Sequence, residues 1–439
     1  MATNSGAGAS TRIIIALSLV CAVVAYLSPF LLPISSTSFL SRASDHLSSV
    51  LALKSTKTAS GDSVLVLPVV DLSSPDAARQ LDEACSTVGF FLLVNHGAEK
   101  TAKDAASNLN RWFQWVYEGS EEANRDRLSV TREKWGYGPG LQKPGHMEEE
   151  GYETLEGVYA VGGGRQDYVV INPEASERKK RGDDYYTSNV AQIWYEDADN
   201  LWPASEKGRT IKPALEAHYR AMEKVSTKLM SLFAEALVME EAKVSGSNVT
   251  PDAGRELYES RFAPLVDKHT SNLVNAYHTD PRLARLAPGG DAEYRVSPHS
   301  DTGLFTIIGY GDMGCEGLEV QLGDDPSKGW TEVSTSFGMR TDQPLVVNIA
   351  DSMTRLSGGR FRATPHRVKK SDPGSIGDRL AIIFFFAARY DAFLEPVVKF
   401  DGGDKRLAVR AGQITHNYLT ATEKDKEAFD AWVEAKAKK

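Results

Sequence analysis

The sequence predicts an α+β fold: a double-stranded β-helix, or jelly roll, with flanking helices, preceded by an apolar N-terminal segment. Three observations lead there. From Leu273 onward, short apolar runs alternate with Gly, Asp and Pro turns at strand spacing. Ahead of them, a β-α-β pattern and a long amphipathic stretch supply the helices. Finally, His299-x-Asp301 and a later His366 fall among the strands, a pattern that a barrel can bring to one point.

Composition bounds the rest. A chain of 439 residues accommodates one large domain or two to three small ones, and 41% apolar residues supply a sizeable core. A net charge of −9 and a pI near 5.6 argue against a nucleic-acid binder, which would normally be basic. Cys21, Cys85 and Cys315 lack CxxC spacing, so neither a disulfide framework nor a zinc site follows. Reduced thiols are the simpler expectation.

Residues 13 to 34 form an apolar run without a charge. That is long enough to span a bilayer, which needs about 20 such residues, and longer than a signal-peptide core. A buried core helix is the alternative reading, disfavoured by the position at the extreme N-terminus. Arg12 precedes the run, and Arg42, Lys54 and Lys57 follow it. The positive-inside rule then places the downstream part in the cytosol behind a single anchor. Residues 1 to 60 also contain a single acid, Asp45, among many Ser and Thr, which equally fits a cleaved plastid or endomembrane targeting segment.

The folded part opens with the β-rich run Val64 to Leu72. Ser73 or Ser74 is the expected cap of a helix with Pro75 in its first position, ending near Thr87. A buried strand, Gly89 to Val94, follows. A second helix covers about Ala98 to Tyr117, with Leu109, Trp112, Phe113 and Val116 on one face. Residues 119 to 170 read as irregular and glycine-rich, 174 to 188 as a polar surface insertion. Gly162-Gly163-Gly164 lacks the Lys-Ser/Thr of a phosphate loop and reads as a turn. A long helix spans about Lys212 to Ala242. Strands are expected near 272–277, 303–308, 317–321, 329–333, 345–349 and 379–386, and a charged helix at about 421–438.

The chemistry lies in the strand-rich half. In an extended segment, residues two apart point to one face, so His299 and Asp301 can reach one metal. His366 joins them from another strand. Two imidazoles and one carboxylate suit Fe(II) with open positions, whereas a closed zinc site prefers four ligands, usually including Cys. The other histidines form no competing cluster.

Several ordered motifs carry a resemblance. They are Leu67-Pro68-Val69-Val70-Asp71-Leu72, Gly89-Phe90-Phe91 to Asn95-His96-Gly97, Pro298-His299-Ser300-Asp301-Thr302-Gly303-Leu304-Phe305-Thr306, Val347-Asn348-Ile349-Ala350-Asp351 and Pro365-His366-Arg367-Val368. Over about Val64 to Tyr390 the chain resembles the 2-oxoglutarate and Fe(II)-dependent dioxygenases, in the branch that includes isopenicillin N synthase and the plant flavonoid and gibberellin oxidases. The resemblance implies His299, Asp301 and His366 as iron ligands. It also implies Arg379, thirteen residues after His366, and Tyr277, within Asn275-Ala276-Tyr277, as holders of the distal carboxylate of 2-oxoglutarate, with Asn275 in the same subsite. A guanidinium fork matches a carboxylate in a bidentate way that lysine cannot.

One position departs from the family pattern. Where the family has Arg-x-Ser, this chain has Arg379-Leu380-Ala381, losing a neutral donor worth on the order of 1 kcal/mol. Asp301 is retained, which argues for oxygenation over halogenation. The implied function is oxidative decarboxylation of 2-oxoglutarate coupled to hydroxylation or desaturation of a small organic molecule by O2, with ascorbate as a candidate reductant. Phe305, Phe384, Phe386 and the region from Trp135 to Tyr159 are candidates to line the pocket, with core packing the default for each aromatic. The alternatives are a same-fold oxidase that uses no keto acid, and a non-catalytic metal-binding protein. The expected parts are an N-terminal segment (1–61), an α/β module with the long helix (62–260), the jelly-roll core (261–400) and a C-terminal piece (401–439).

Overall fold

A computed structural model of the chain describes residues 55–57, 63–132, 140–142, 165–171, 199–250, 252–266, 272–279, 294–310, 316–323, 329–334, 343–369, 379–397 and 409–414. All lie within one compact unit, Leu53–Lys439.

In chain order, β1 (Ser55–Lys57) pairs with β2 (Ser63–Leu65), and β3 (Val69–Asp71) leads through α1 (Ala77–Thr87) to β4 (Phe90–Val94). Strands β3 and β4 are parallel, the outcome of a β-α-β crossover. Then come α2 (Glu99–Val116), α3 (Glu121–Ser129), β5 (Thr131–Arg132), β6 (Gly140–Gln142), β7 (Arg165–Ile171), the 35-residue α4 (Ile211–Ser245) and α5 (Ala253–Leu257). The second half holds β8 (Leu273–Thr279), β9 (Tyr294–His299), β10 (Phe305–Tyr310), β11 (Leu318–Val320), β12 (Thr331–Glu332) and β13 (Leu345–Ile349). It closes with α6 (Asp351–Leu356), β14 (His366–Lys369), β15 (Arg379–Phe386), β16 (Phe393–Leu394) and β17 (Val409–Arg410).

Two sheets face each other. The larger has the order β3-β4-β13-β10-β15-β8-β7-β6-β5, the smaller β12-β11-β14-β9. Strands from both 62–260 and 261–400 therefore share one sheet.

Strand β15 shows how the layers are built. Its side chains alternate, as a strand's must. Leu380, Ile382, Phe384 and Phe386 join the core under the helices. Arg379, Ala381, Ile383 and Phe385 line a cavity between the sheets. On the helical side, α4 lays Tyr219 edge-on against Phe384 and Phe233 against Phe305. Burying each such large apolar side chain is worth about 1.5–3 kcal/mol. Phe305, Phe384 and Phe386 are thus core residues, and Phe385 is the one of this run that lines the cavity.

Two glycines are dictated by close approaches. A Cβ on Gly89 (φ +73°) would lie 2.3 Å from the Arg362 carbonyl oxygen. One on Gly303 would lie 2.7 Å from that of Phe386. Both contacts seat the chain next to the site.

The structure corrects several expectations. Helix α1 starts at Ala77, not at Pro75. Ser74 instead closes a turn, its N–H donating to the Asp71 carbonyl (3.0 Å) and its Oγ accepting from the Asp76 N–H (3.1 Å). The 119–170 region is not irregular throughout, since α3 lies within it and β7 begins in it. The signal for α3 was Ser120, whose Oγ accepts from the Ala123 N–H (3.2 Å), followed by Glu121 and Glu122 at the helix's positive end.

The expectation of a membrane-spanning helix is also corrected. Among the described residues, no helix is long and apolar enough to cross a membrane. The run at 13–34 lies outside the described residues, as do the glycine triplet, the 174–188 insertion, the 421–438 helix and nearly all of the 135–159 region.

Candidate active site

The site forms where the two sheets meet at the end of β9. Antiparallel pairing of β9 with β14 puts His299 directly opposite His366. Their rings lie 4.3 Å apart between centroids. Asp301 comes from the loop just past β9, so it is not the extended neighbour that the two-residue spacing suggested. It reaches the same point nonetheless. Its Oδ1 lies 3.4 Å from His299 Nε2 and 4.0 Å from His366 Nε2. One ligand atom from each residue lies within 4.8 Å of the other two.

The loop is held firmly. The Asp351 N–H donates to the Asp301 carbonyl (2.8 Å), and Ser352 donates through N–H to the Gly303 carbonyl (3.0 Å) and through Oγ to that of Thr302 (2.7 Å). The start of α6 thereby anchors the carboxylate's backbone.

Protonation favours metal binding. His299 Nδ1 lies 2.8 Å from the Ser297 carbonyl, and His366 Nδ1 lies 3.2 Å from the Thr364 carbonyl. A carbonyl can only accept, so each Nδ1 carries the hydrogen and each Nε2 presents its lone pair to the cluster. Burial drives the His366 pKa down to about 4, against the pull of Asp301, leaving a neutral imidazole at pH 7. Phe90 packs edge-on against that ring at 5.3 Å. For Asp301, burial alone would favour the acid. The adjacent His299 and His366 and the donating Thr306 hydroxyl outweigh it, and the carboxyl stays well below its usual range. Two imidazoles that turn Nε2 toward one point and one carboxylate make a donor set fitting Fe(II).

The cavity beyond this cluster spans about 470 Å³ together with its solvent-filled mouth. Val296, Ile308, Leu318, Val368 and Ile383 give it apolar walls. Arg379 also lines it, although the residue is only 4% exposed. Its Nε donates to the Glu316 carbonyl (3.1 Å), and its guanidinium carbon lies 5.7 Å from the Tyr310 ring centre. Its two terminal amino groups have no acceptor among the described residues. Arg295 adds positive charge here: burial and the Arg379 charge lower its pKa to about 10, with Glu316 opposing.

Of the other expected residues, Tyr277 lines the cavity and Asn275 does not. Asn275 is buried opposite Ile383 on the neighbouring strand. Ala381 pairs with Tyr277 on one side and Tyr310 on the other, so its methyl group sits between two cavity-lining tyrosines.

Sequence reasoning missed Thr306, Asn348 and Tyr310 as site residues. The available signal was polarity. Thr306 and Asn348 interrupt the buried strands β10 and β13, where a polar side chain must find a partner.

A jelly roll that gathers two histidines and an aspartate at the mouth of its inner cavity defines the class of non-haem metal oxygenases. Comparison with known proteins gives the family. Residues 269–388 match the 2OG-Fe(II) oxygenase superfamily, and residues 67–150 match the N-terminal module described as non-haem dioxygenase in morphine synthesis. The chain thus carries a 2OG-Fe(II) oxygenase superfamily domain behind a dioxygenase N-terminal module, and it is an Fe(II)-dependent oxygenase that couples 2-oxoglutarate decarboxylation to oxidation of a small organic molecule. A gibberellin 20-oxidase-like protein of Arabidopsis thaliana is 24% identical over 73% of this chain and 81% of its own. Isopenicillin N synthase of Amycolatopsis lactamdurans is 24% identical over 78% and 88%. Among solved structures, a full-length Neurospora crassa protein in complex with alpha-KG superposes with a TM-score of 0.54 at 16% identity, covering 84% of this chain and 99% of that one.

Proposed function

We propose that His299, Asp301 and His366 hold Fe(II) through Nε2, Oδ1 and Nε2, and that Arg379 with Tyr277 holds the distal carboxylate of 2-oxoglutarate. The observation that carries this reading is the buried Arg379 guanidinium, which faces the cavity behind the ligand cluster with two amino groups unmatched among the described residues. A buried cation in that state calls for an anion, and a carboxylate fits the fork.

When bound, iron would activate O2, the oxidant, and the keto acid would supply electrons through its own oxidative decarboxylation. The protein's residues do the rest. Tyr277 offers a hydroxyl to the same cavity as the guanidinium. The apolar walls limit water and leave room for the carbon skeleton of a small organic substrate at the cavity mouth. Asn275, buried on the same strand as Tyr277, lies outside the cavity lining.

The test is succinate release on mixing the protein with Fe(II), ascorbate, 2-oxoglutarate and O2. Turnover that disappears in Arg379→Ala supports the assignment. Substrate oxidation that survives Arg379→Ala unchanged and needs no keto acid would assign a same-fold oxidase instead.

A further inference from the structure

Asp301 has two carboxylate oxygens, and they meet different surroundings. Oδ1 faces the two imidazoles. Oδ2 accepts from Thr306 Oγ1 at 2.5 Å and from Asn348 Nδ2 at 2.8 Å. Thr306 and Asn348 are direct partners across the β10–β13 ladder, and both are buried, at 2% and 0% exposure. The carboxylate is thus clamped by a matched pair of donors on one sheet.

Asn348 sharpens the point. Its Oδ1 is buried with no partner among the described residues. The amide cannot be turned over to satisfy that oxygen, because a carboxylate needs a donor and the carbonyl end has none to give. An apolar side chain would pack there without an orphaned acceptor. The amide's use is its N–H.

We infer that Thr306 and Asn348 are positioning residues of the metal centre, occupying Asp301 Oδ2 so that Oδ1 alone coordinates. One-oxygen ligation keeps a coordination position open that two-oxygen ligation would fill. The inference rests on the reading that His299, Asp301 and His366 bind metal, and the pair acts through Asp301 without touching substrate. Groups that orient a ligand in this way typically change metal affinity about 10–100-fold when removed.

The experiment titrates Co(II) alone into the metal-free full-length protein, following visible absorption, for the parent, Thr306→Val, Asn348→Leu, Thr306→Ser and His299→Ala. Thermal unfolding of each metal-free form reports folding separately. Thr306→Val and Asn348→Leu are expected to bind Co(II) about 10–100-fold more weakly. Thr306→Ser, which keeps the hydroxyl, should stay close to the parent and holds the comparison if the valine variant does not fold. Parental affinity in folded Thr306→Val and Asn348→Leu, with His299→Ala binding nothing, overturns the positioning role alone. If the parent and His299→Ala bind Co(II) alike, the underlying metal-site reading fails instead.

Discussion

His299 and His366 are direct partners across the β9–β14 ladder, with ring centroids 4.3 Å apart. One antiparallel register erases the long stretch of sequence between them. Because Asp301 follows two residues after His299, that same register completes the cluster. Replacing either histidine with Ala is expected to abolish stoichiometric Fe(II) binding under anaerobic conditions, measured by equilibrium dialysis. His299 is only half-buried, so His299→Ala should unfold near the parental midpoint. A full complement of iron in both variants would refute the assignment.

Arg379 invites a more discriminating substitution than Ala. Lysine keeps the charge but presents a point donor in place of a fork. Charge-assisted hydrogen bonds contribute about 1.5–3 kcal/mol each, so loss of one or more should raise the KM for 2-oxoglutarate about 10–100-fold. With an unaltered metal cluster, Fe(II) affinity should stay near that of the parent. Succinate formation at varied keto acid concentration separates the two effects. A parental KM in Arg379→Lys would show that the carboxylate binds elsewhere.

Ala381 stands where the sequence resemblance leads one to expect a serine. Its neighbours across both ladders, Tyr277 and Tyr310, line the same cavity. Ala381→Ser adds a hydroxyl between them, on the same face of β15 as Arg379. A neutral hydrogen bond is worth about 1 kcal/mol, so 2-oxoglutarate should bind up to about five- to tenfold more tightly. Anaerobic titration of the Fe(II) protein would read this. Weaker binding in Ala381→Ser would mean that the site is closed to a larger side chain and that the alanine is a fit to the ligand.

What the sequence made legible depended on the range of the interaction. The run Arg379 to Phe386 announced a buried strand, but it is apolar on both faces. Which aromatics met the cavity was therefore hidden: Phe385 does, while Phe384 and Phe386 pack under the helices. That His299, Asp301 and His366 converge was legible because metal chemistry admits few side chains. Thr306 and Asn348 were not, although both stand in motifs read directly. Their partnership depends on which residue of β13 lies opposite β10, and that register is set by long-range pairing. Asp301 gives the converse case. Its place beside the histidines was legible, but the reason offered, an extended pair with His299, differs from the loop held by α6. The Ser73/Ser74 cap misled because a serine beside Pro75 can close a turn as readily as it starts a helix.

Acid sensitivity should arise partly far from the cavity, at His218 on α4. The side chain is 1% exposed, and neither ring nitrogen has a partner among the described residues. Burial, with a smaller contribution from His96, lowers its pKa from 6.5 to about 4. The sign follows from proton counting. Above pH 6.5 the ring is neutral both folded and unfolded, so it imposes no pH dependence. Between 6.5 and 4 the unfolded chain takes up a proton that the folded protein refuses, so stability falls as pH falls. Over that window the loss reaches up to about 3 kcal/mol. His218→Leu removes the titrating group together with two orphaned polar atoms. Its stability at pH 7 should therefore match or exceed the parent's, and its decline toward pH 4 should be shallower by about one proton. Urea unfolding midpoints at about pH 7, 6, 5 and 4.5 test this for both proteins. Parallel curves would mean that the ring is protonated in the folded protein and that its burial is relieved by opening of α4.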